Sequence, residues 1–350
     1  YNQGAEVDVT VTPKPWYGAD GNKVFGITGS PEDHSDELER ALGKFPFQTF
    51  WGPMAGLPAT EWIARAAAET IERKPCDLTL VYLPHLDYDP QRFGPSGCDL
   101  AKCAAEVDAA CAPLLDAALK SGARVWVVSE YGHCDVTSVG YPNRALRMAG
   151  LLEVRDGPFG ENVDTFGSRA FAVCDHQLAH VYVRDPADIP KAADALRSDT
   201  ATAALLVGER RGEYDMVHPR SGEIVALAKP DAWFAYSYWL DDSRAPDFAR
   251  TVDIHRKIGF DPAEMFFDPK LSAPKLRAAW RLLQKKLGFR TLFDLVPLDP
   301  SLVKGSHGLP ASDSADRPIL IGDGGAPAEN LRLTDVHDLL WRALGLGDPY

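Results

Sequence analysis

The sequence lacks any unbroken apolar run near the ~18 residues that a membrane span needs. It also opens without the basic-then-apolar stretch of a secretory signal. No membrane partner is expected, and the expected compartment is cytoplasmic. Positive charge is short: 37 Lys and Arg stand against 50 Asp and Glu, a formal net charge of −13. A nucleic-acid duplex wants a basic stripe, so no such partner is expected. An anionic substrate must then be held by local cations or a bound metal. None of the six cysteines (Cys76, Cys98, Cys103, Cys111, Cys134 and Cys174) forms a C-x-x-C pair. That argues against a zinc cluster or a disulfide frame and for reduced thiols. No internal repeat and no low-complexity tract is visible. An initiator methionine is lacking too, since the first residue is Tyr1. The expectation is a processed, trimmed or partial chain.

What is present reads as an ordinary globular protein of 350 residues, 45% hydrophobic and 25% charged. Such a length suits one large α/β domain or a domain with a cap. Residues 1–30, rich in Gly, Pro and polar residues, read as irregular and partly extended. Short helical patterns are expected at His34–Leu42 and, with Thr60 as N-cap, at Thr60–Glu72. Asp77–Leu83 and Arg124–Val128 are short continuous apolar runs, as buried parallel strands are. The Asp99–Lys120 helix between them predicts a right-handed crossover in a parallel sheet. Further helices are expected at Asn143–Ala149, Ile189–Arg197, Pro274–Leu287 and Thr334–Leu344. Strands are expected at Ser168–Cys174, Ala179–Arg184, Glu223–Ala228 and Pro318–Ile321. Residues 1–154 and 261–350 are read as the main domain, and 155–260 as a smaller mixed α/β cap or insertion.

Ligands of open parallel sheets bind beyond the carboxyl ends of the strands. Two apolar runs end there in polar clusters: His85, Asp87, Asp89, Gln91 and Arg92 after the first, Ser129, Glu130, Tyr131 and His133 after the second. A third cluster, Lys304-Gly305-Ser306-His307-Gly308, precedes the last strand. Carboxylates and imidazoles from three distant segments are what a metal site needs. A carboxylate after a strand can also be no more than a helix cap.

The order of these residues resembles a known family. It runs from Asp87 through Gly94-Pro95 to a long helix with Glu106-Val107-Asp108, then to Ser129-Glu130 and Gly132, then to a late His307-Gly308. It is similar to the type I phosphodiesterase/nucleotide pyrophosphatase branch of the alkaline phosphatase superfamily, over 77–150 and 300–345 and more weakly between them. The resemblance implies a three-layer α/β sandwich with a mostly parallel central sheet. It implies a two-metal, in-line hydrolysis of a small phosphate mono- or diester. Asp87 and His307 match two ligands of one ion. Gln91 falls where the family has His, Glu130 where it has Asp, and Tyr131 where it has His. Amide and phenol oxygens in place of imidazole would favour Mg²⁺ or Mn²⁺ over Zn²⁺. His85 or His133 are alternative sources of the missing nitrogen, and an impaired or single-metal site is a third reading. The family's opening strand, with its Asp and its Thr or Ser nucleophile, has no match before Asp77. The nucleophile is therefore expected outside this chain, which would begin inside the domain. The alternatives are a non-catalytic relative that keeps the fold, or a sulfatase or phosphomutase.

The other histidines are weaker signals. His176 and His180 flank a polar link between two expected strands, where a structural role is favoured. His255, beside Arg250, Arg256 and Lys257, is either an extra ligand or phosphate contact or a salt-bridged loop residue. Arg220 sits in an expected turn and, with Lys257, is the candidate phosphate contact. The aromatic run Trp233, Phe234, Tyr236, Tyr238 and Trp239 reads as core first and as a stacking surface second.

Overall fold

The computed structural model describes residues 6–19, 23–289, 291–311, 313–322 and 331–347. The opening, expected to be irregular and partly extended, is extended over an ordered antiparallel hairpin, β1 (Thr10–Tyr17) and β2 (Lys23–Ser30). Residues 1–5 and 20–22 of that expectation lie outside the described residues. Val11, Trp16, Val24, Phe25 and Ile27 supply strand propensity that the local Gly and Pro content hid. Ile27 packs with Leu38 of helix α1 (Glu32–Leu42) and with Trp62 and Ala66 of α2 (Leu57–Arg73). Helix α2 starts three residues before the expected cap, with Pro58 in its first turn, where the missing N–H costs nothing. Thr60 is consequently buried inside the helix rather than capping it.

Asp77–Leu83 is not a strand. Leu78, Leu80 and Tyr82 are exposed, and no strand among the described residues pairs with the segment. The apolar run registers β propensity, but a ladder also needs a neighbour. The polar cluster after it folds as helix α3 (His85–Phe93), closed by Gly94 at φ 75°. Helix α4 (Leu100–Lys120) follows, with the Asp99 side chain accepting from the Lys102 N–H at 2.9 Å.

After α4 come the short strands β3 (Trp126–Val128), β4 (Cys134–Asp135) and β5 (Ser138–Gly140), then α5 (Pro142–Met148). A hairpin of β6 (Val154–Gly157) and β7 (Gly160–Val163) leads into β8 (Ala170–Asp175) and β9 (Leu178–Val183). Next are α6 (Ile189–Arg197), β10 (Thr202–Val207), β11 (Ile224–Ala228) and β12 (Ala232–Phe234). The chain closes with α7 (Pro274–Lys286), β13 (Gly305–Ser306), β14 (Leu320–Gly322) and α8 (Asp335–Ala343). Among the described residues no helix is long and apolar enough to cross a membrane.

The fold is α/β, but the expected parallel central sheet is not seen among the described residues. There the strand pairs are antiparallel except β5 with β12. Strand β3 pairs antiparallel with β14, and Val127, Val128 and Ile321 on this ladder are exposed. The largest core lies on a four-stranded sheet in the order β10-β11-β9-β8. Ala170, Ala172 and Cys174 of β8 and Ala179, Val181 and Val183 of β9 point into it, with period two. Ala192, Ala193 and Leu196 of α6 cover them. The aromatic run is core as well: Trp233, Phe234, Tyr236, Tyr238 and Trp239 are all buried.

The edge strand β8 is held by a side chain. Buried Asn143 of α5 donates to the carbonyls of Ala172 (2.9 Å) and Tyr236 (3.2 Å) and accepts from the Ala172 N–H (2.8 Å). An amide here does what a neighbouring strand would do, and it satisfies an edge that would otherwise be left unpaired in the core.

Candidate metal centre

Four segments meet around Asp87. The first is the opening turn of α3, which carries Asp87 and, one turn on, Gln91. The second is the loop after β3, with Tyr131 and His133. It is tied down by the Ser129 N–H to the Ile319 carbonyl (3.0 Å) and by the Ile319 N–H to Ser129 Oγ (2.8 Å). The third is the two-residue ladder of β4 with β13, in which Cys134 faces Ser306. That antiparallel register sets His133 and His307 side by side at the same end of the ladder, with ring centroids 5.3 Å apart. The fourth is the tip of the β8–β9 hairpin, His176-Gln177.

Helix α3 docks closely on this ladder. The Lys304 N–H donates to the Gln91 carbonyl at 3.0 Å. Gly94 lies against Asp135, where a Cβ would come 2.2 Å from Asp135 Oδ1.

His133 Nε2 lies 3.0 Å from Asp87 Oδ1, and the Tyr131 hydroxyl donates to the same oxygen at 3.2 Å. His307 Nε2 is 3.9 Å from it, too far for a hydrogen bond. One ligand atom each from Asp87, His133 and His307 lie within 4.8 Å of one another. Among the described residues no second group of three His, Cys, Asp or Glu side chains gathers in this way.

The charge states follow from burial and neighbours. Burial pushes the Asp87 carboxyl up, but the His133 hydrogen bond and the nearby imidazoles outweigh it and hold it below the usual range. Burial, with His176 and His133 alongside, pushes His307 down to about 2 against the pull of Asp87. His307 is therefore neutral, and the His133 hydrogen bond is the leading contact that holds Asp87 down. Burial, then Asp87 and neighbouring acidic groups, push the Tyr131 phenol far above its ordinary value. It remains a proton donor.

One feature of the group is unexplained by protein contacts alone. His307 Nε2 is buried, neutral and without a hydrogen-bond partner. A buried imidazole nitrogen without a partner, facing an ionised carboxylate, fits a cation between them. Both amide atoms of fully buried Gln91 also lack a hydrogen-bond partner, although the side chain is near enough to Asp87 to help hold the carboxylate down.

The structure brings Asp87, Gln91, Tyr131, His133 and His307 together. It does not bring in the other candidates. Glu130 is exposed and outside the three-residue group. His85 turns away to helix α4, with Nε2 3.0 Å from Glu106 Oε2. His255 is exposed, with its ring edge-on to Tyr17. Arg220 is exposed in the turn before β11. Lys257 is buried, with Nζ 2.7 Å from both Asp261 Oδ2 and Glu264 Oε1. A cation so enclosed serves the core, since those two carboxylates occupy it.

The hairpin tip was missed as a site element. A strand tip is normally exposed, yet His176 and Gln177 are both buried. Gln177 donates through Nε2 to the carbonyls of Pro230 and Ala232 (3.1 Å each) and through its backbone N–H to the His307 carbonyl (2.9 Å). Burial, then His133, pushes His176 down to about 3, so it too is neutral. The available signal was a histidine at a two-residue hairpin turn, where Gly or Asn is usual.

The model of the family described as type I phosphodiesterase / nucleotide pyrophosphatase matches residues 2–261, and the chain belongs to that family. The matched span holds Asp87 and His133, whereas His307 lies beyond it. No curated protein matches the sequence. Among solved structures, phosphonoacetate hydrolase from Sinorhizobium meliloti 1021 in complex with phosphonoformate is 14% identical. That match covers 83% of this chain and 56% of the other, with a TM-score of 0.47. Murine ectonucleotide pyrophosphatase/phosphodiesterase 5 is 16% identical over 82% of this chain and 59% of its own, with a TM-score of 0.48. An inactive form of the murine protein in complex with AMP matches at 16% identity and a TM-score of 0.48, over 82% of this chain and 60% of its own. This chain thus spans less than two thirds of the length of these solved proteins.

Proposed function

We propose that this chain carries a metal-binding centre of a phosphate-ester hydrolase, with Asp87, His133 and His307 as the ligands of one divalent ion. The observation that carries the reading is the orphaned, neutral Nε2 of His307 facing ionised Asp87. Two imidazole nitrogens and one carboxylate favour Zn²⁺ or Mn²⁺ over Mg²⁺. This takes up the alternative in which His133 supplies the missing nitrogen, rather than the oxygen-rich set of Gln91, Tyr131 and Glu130. Gln91 is a candidate fourth donor through its amide oxygen. A second ion near Glu130 remains an expectation of the resemblance, with one donor on this chain.

A bound divalent ion would act as a Lewis acid on a phosphoryl oxygen of a mono- or diester. The chain's own residues prepare the place for it. Without the ion, the His133 hydrogen bond and the hydrogen bond donated by the Tyr131 hydroxyl hold the Asp87 carboxylate, and burial keeps His307 unprotonated; a bound ion would take the place of the proton between His133 and Asp87.

Titration calorimetry with Zn²⁺ and Mn²⁺ tests the reading, together with turnover of a chromogenic phosphodiester in the same metal. Stoichiometric binding that His307→Ala abolishes supports it. Absence of binding, or binding unchanged in His307→Ala, overturns it.

A further inference from the structure

We infer that Tyr131 and His176 are positioning residues that clamp the His307 ring between them and so aim its free nitrogen at Asp87 and His133. The inference rests on the metal reading above and assigns Tyr131 a role other than ligand.

The Tyr131 ring stacks on His307 with centroids 3.6 Å apart and planes 5° apart. The His176 ring lies 3.8 Å from the same centroid, tilted by 32°. Two rings this close cannot share one face of an imidazole. They therefore lie on opposite faces, and His307 is sandwiched.

Each side of the clamp is anchored independently. The Tyr131 hydroxyl donates to Asp87, so one residue touches two of the three ligands. His176 sits in the left-handed region at φ 54°, with Nδ1 3.4 Å from Ser306 Oγ and Phe260 beyond it at 5.6 Å between centroids. The backbone N–H of Gln177 fixes the His307 main chain. The main chain and both ring faces of His307 are thus set before any ion arrives.

The clamp differs from the usual device. A metal-ligating histidine normally gives its second ring nitrogen to a carboxylate or carbonyl, and losing that partner costs about 10–100-fold in metal affinity. Here the torsion that turns the ring, which is soft in isolation, is restrained by stacking.

The test is calorimetric titration of Zn²⁺ or Mn²⁺ into the wild type, His307→Ala, His176→Asn, Tyr131→Leu and Tyr131→Phe, with far-UV circular dichroism as the fold control. Asparagine tolerates the left-handed conformation but has no ring. His176→Asn and Tyr131→Leu are expected to weaken binding about 10–100-fold, and Tyr131→Phe to keep most of the affinity. If His176→Asn binds like the wild type while His307→Ala does not bind, the clamp is overturned and the metal reading stands. If His176→Asn fails to fold, the Tyr131 pair decides: equal losses in Tyr131→Leu and Tyr131→Phe would assign the effect to the hydroxyl and overturn the clamp. A wild type that binds neither metal overturns both readings together.

Discussion

Gly305 meets the carbonyl oxygen of Pro90 so closely that a Cβ on residue 305 would lie 2.0 Å from it. Helix α3, which carries Asp87, therefore reaches the β4–β13 ladder only because residue 305 has no side chain. Gly305→Ala must push the helix or the ladder away. The expected cost is about 1–3 kcal/mol, as for other overpacked sites, with loss of Zn²⁺ or Mn²⁺ affinity. Thermal melts and calorimetry on the same variant check both.

Acid should weaken the fold before it protonates Asp87. His176 and His307 are held neutral far below the ordinary histidine value, at about 3 and about 2. The unfolded chain binds protons at both once the pH falls below about 6.5, while the native state does not. Their contribution is thus fully present above that pH and is lost as the pH falls toward the native values. The slope is about 1.4 kcal/mol per pH unit for each histidine. Urea melts at pH 7 and pH 5 should show the loss, and His176→Asn should reduce it. Equal stability at the two pH values would contradict the buried neutral pair.

Asn143→Ala removes three hydrogen bonds and leaves the N–H and carbonyl of Ala172 unpaired at a buried edge. Each orphaned group costs about 1–3 kcal/mol. A loss of several kcal/mol is expected in urea denaturation, with metal affinity of the folded fraction unchanged.

Lys257→Met leaves Asp261 and Glu264 facing each other without their cation. Breaking such a buried set by removing one partner costs about 3–5 kcal/mol. The expected result is a large drop in melting temperature, with Zn²⁺ or Mn²⁺ affinity unmoved in protein that still folds. Weaker binding of inorganic phosphate at unchanged stability would instead restore Lys257 as a phosphate contact.

Local signals carried the elements that depend on local chemistry. Helix α6 falls on the residues expected of it, and β8 and β9 fall within two residues of theirs. Asp87 and His307 were legible as ligand candidates because motif spacing is written along the chain, and the structure brings them together. His133 was not separable from His85, because the choice between them is made by a two-residue ladder register and by Glu106, neither visible in spacing. The reading of Asp77–Leu83 failed for a related reason: an apolar run states what a strand would like to bury, not whether a partner lies beside it. Lys257 looked available because its two carboxylates lie four and seven residues away, within a stretch that reads as a loop.

Gln177 joins the sheet of β8 to β11, the Pro230–Ala232 turn and the His307 carbonyl through one side chain and one peptide unit. Lifting that hairpin tip would undo the ligand array, so opening of the sheet and occupancy of the centre are thermodynamically linked. Whatever binds at Asp87 and His307 is then expected to slow hydrogen exchange at the Gln177 amide, which the His307 carbonyl holds at the tip of that sheet.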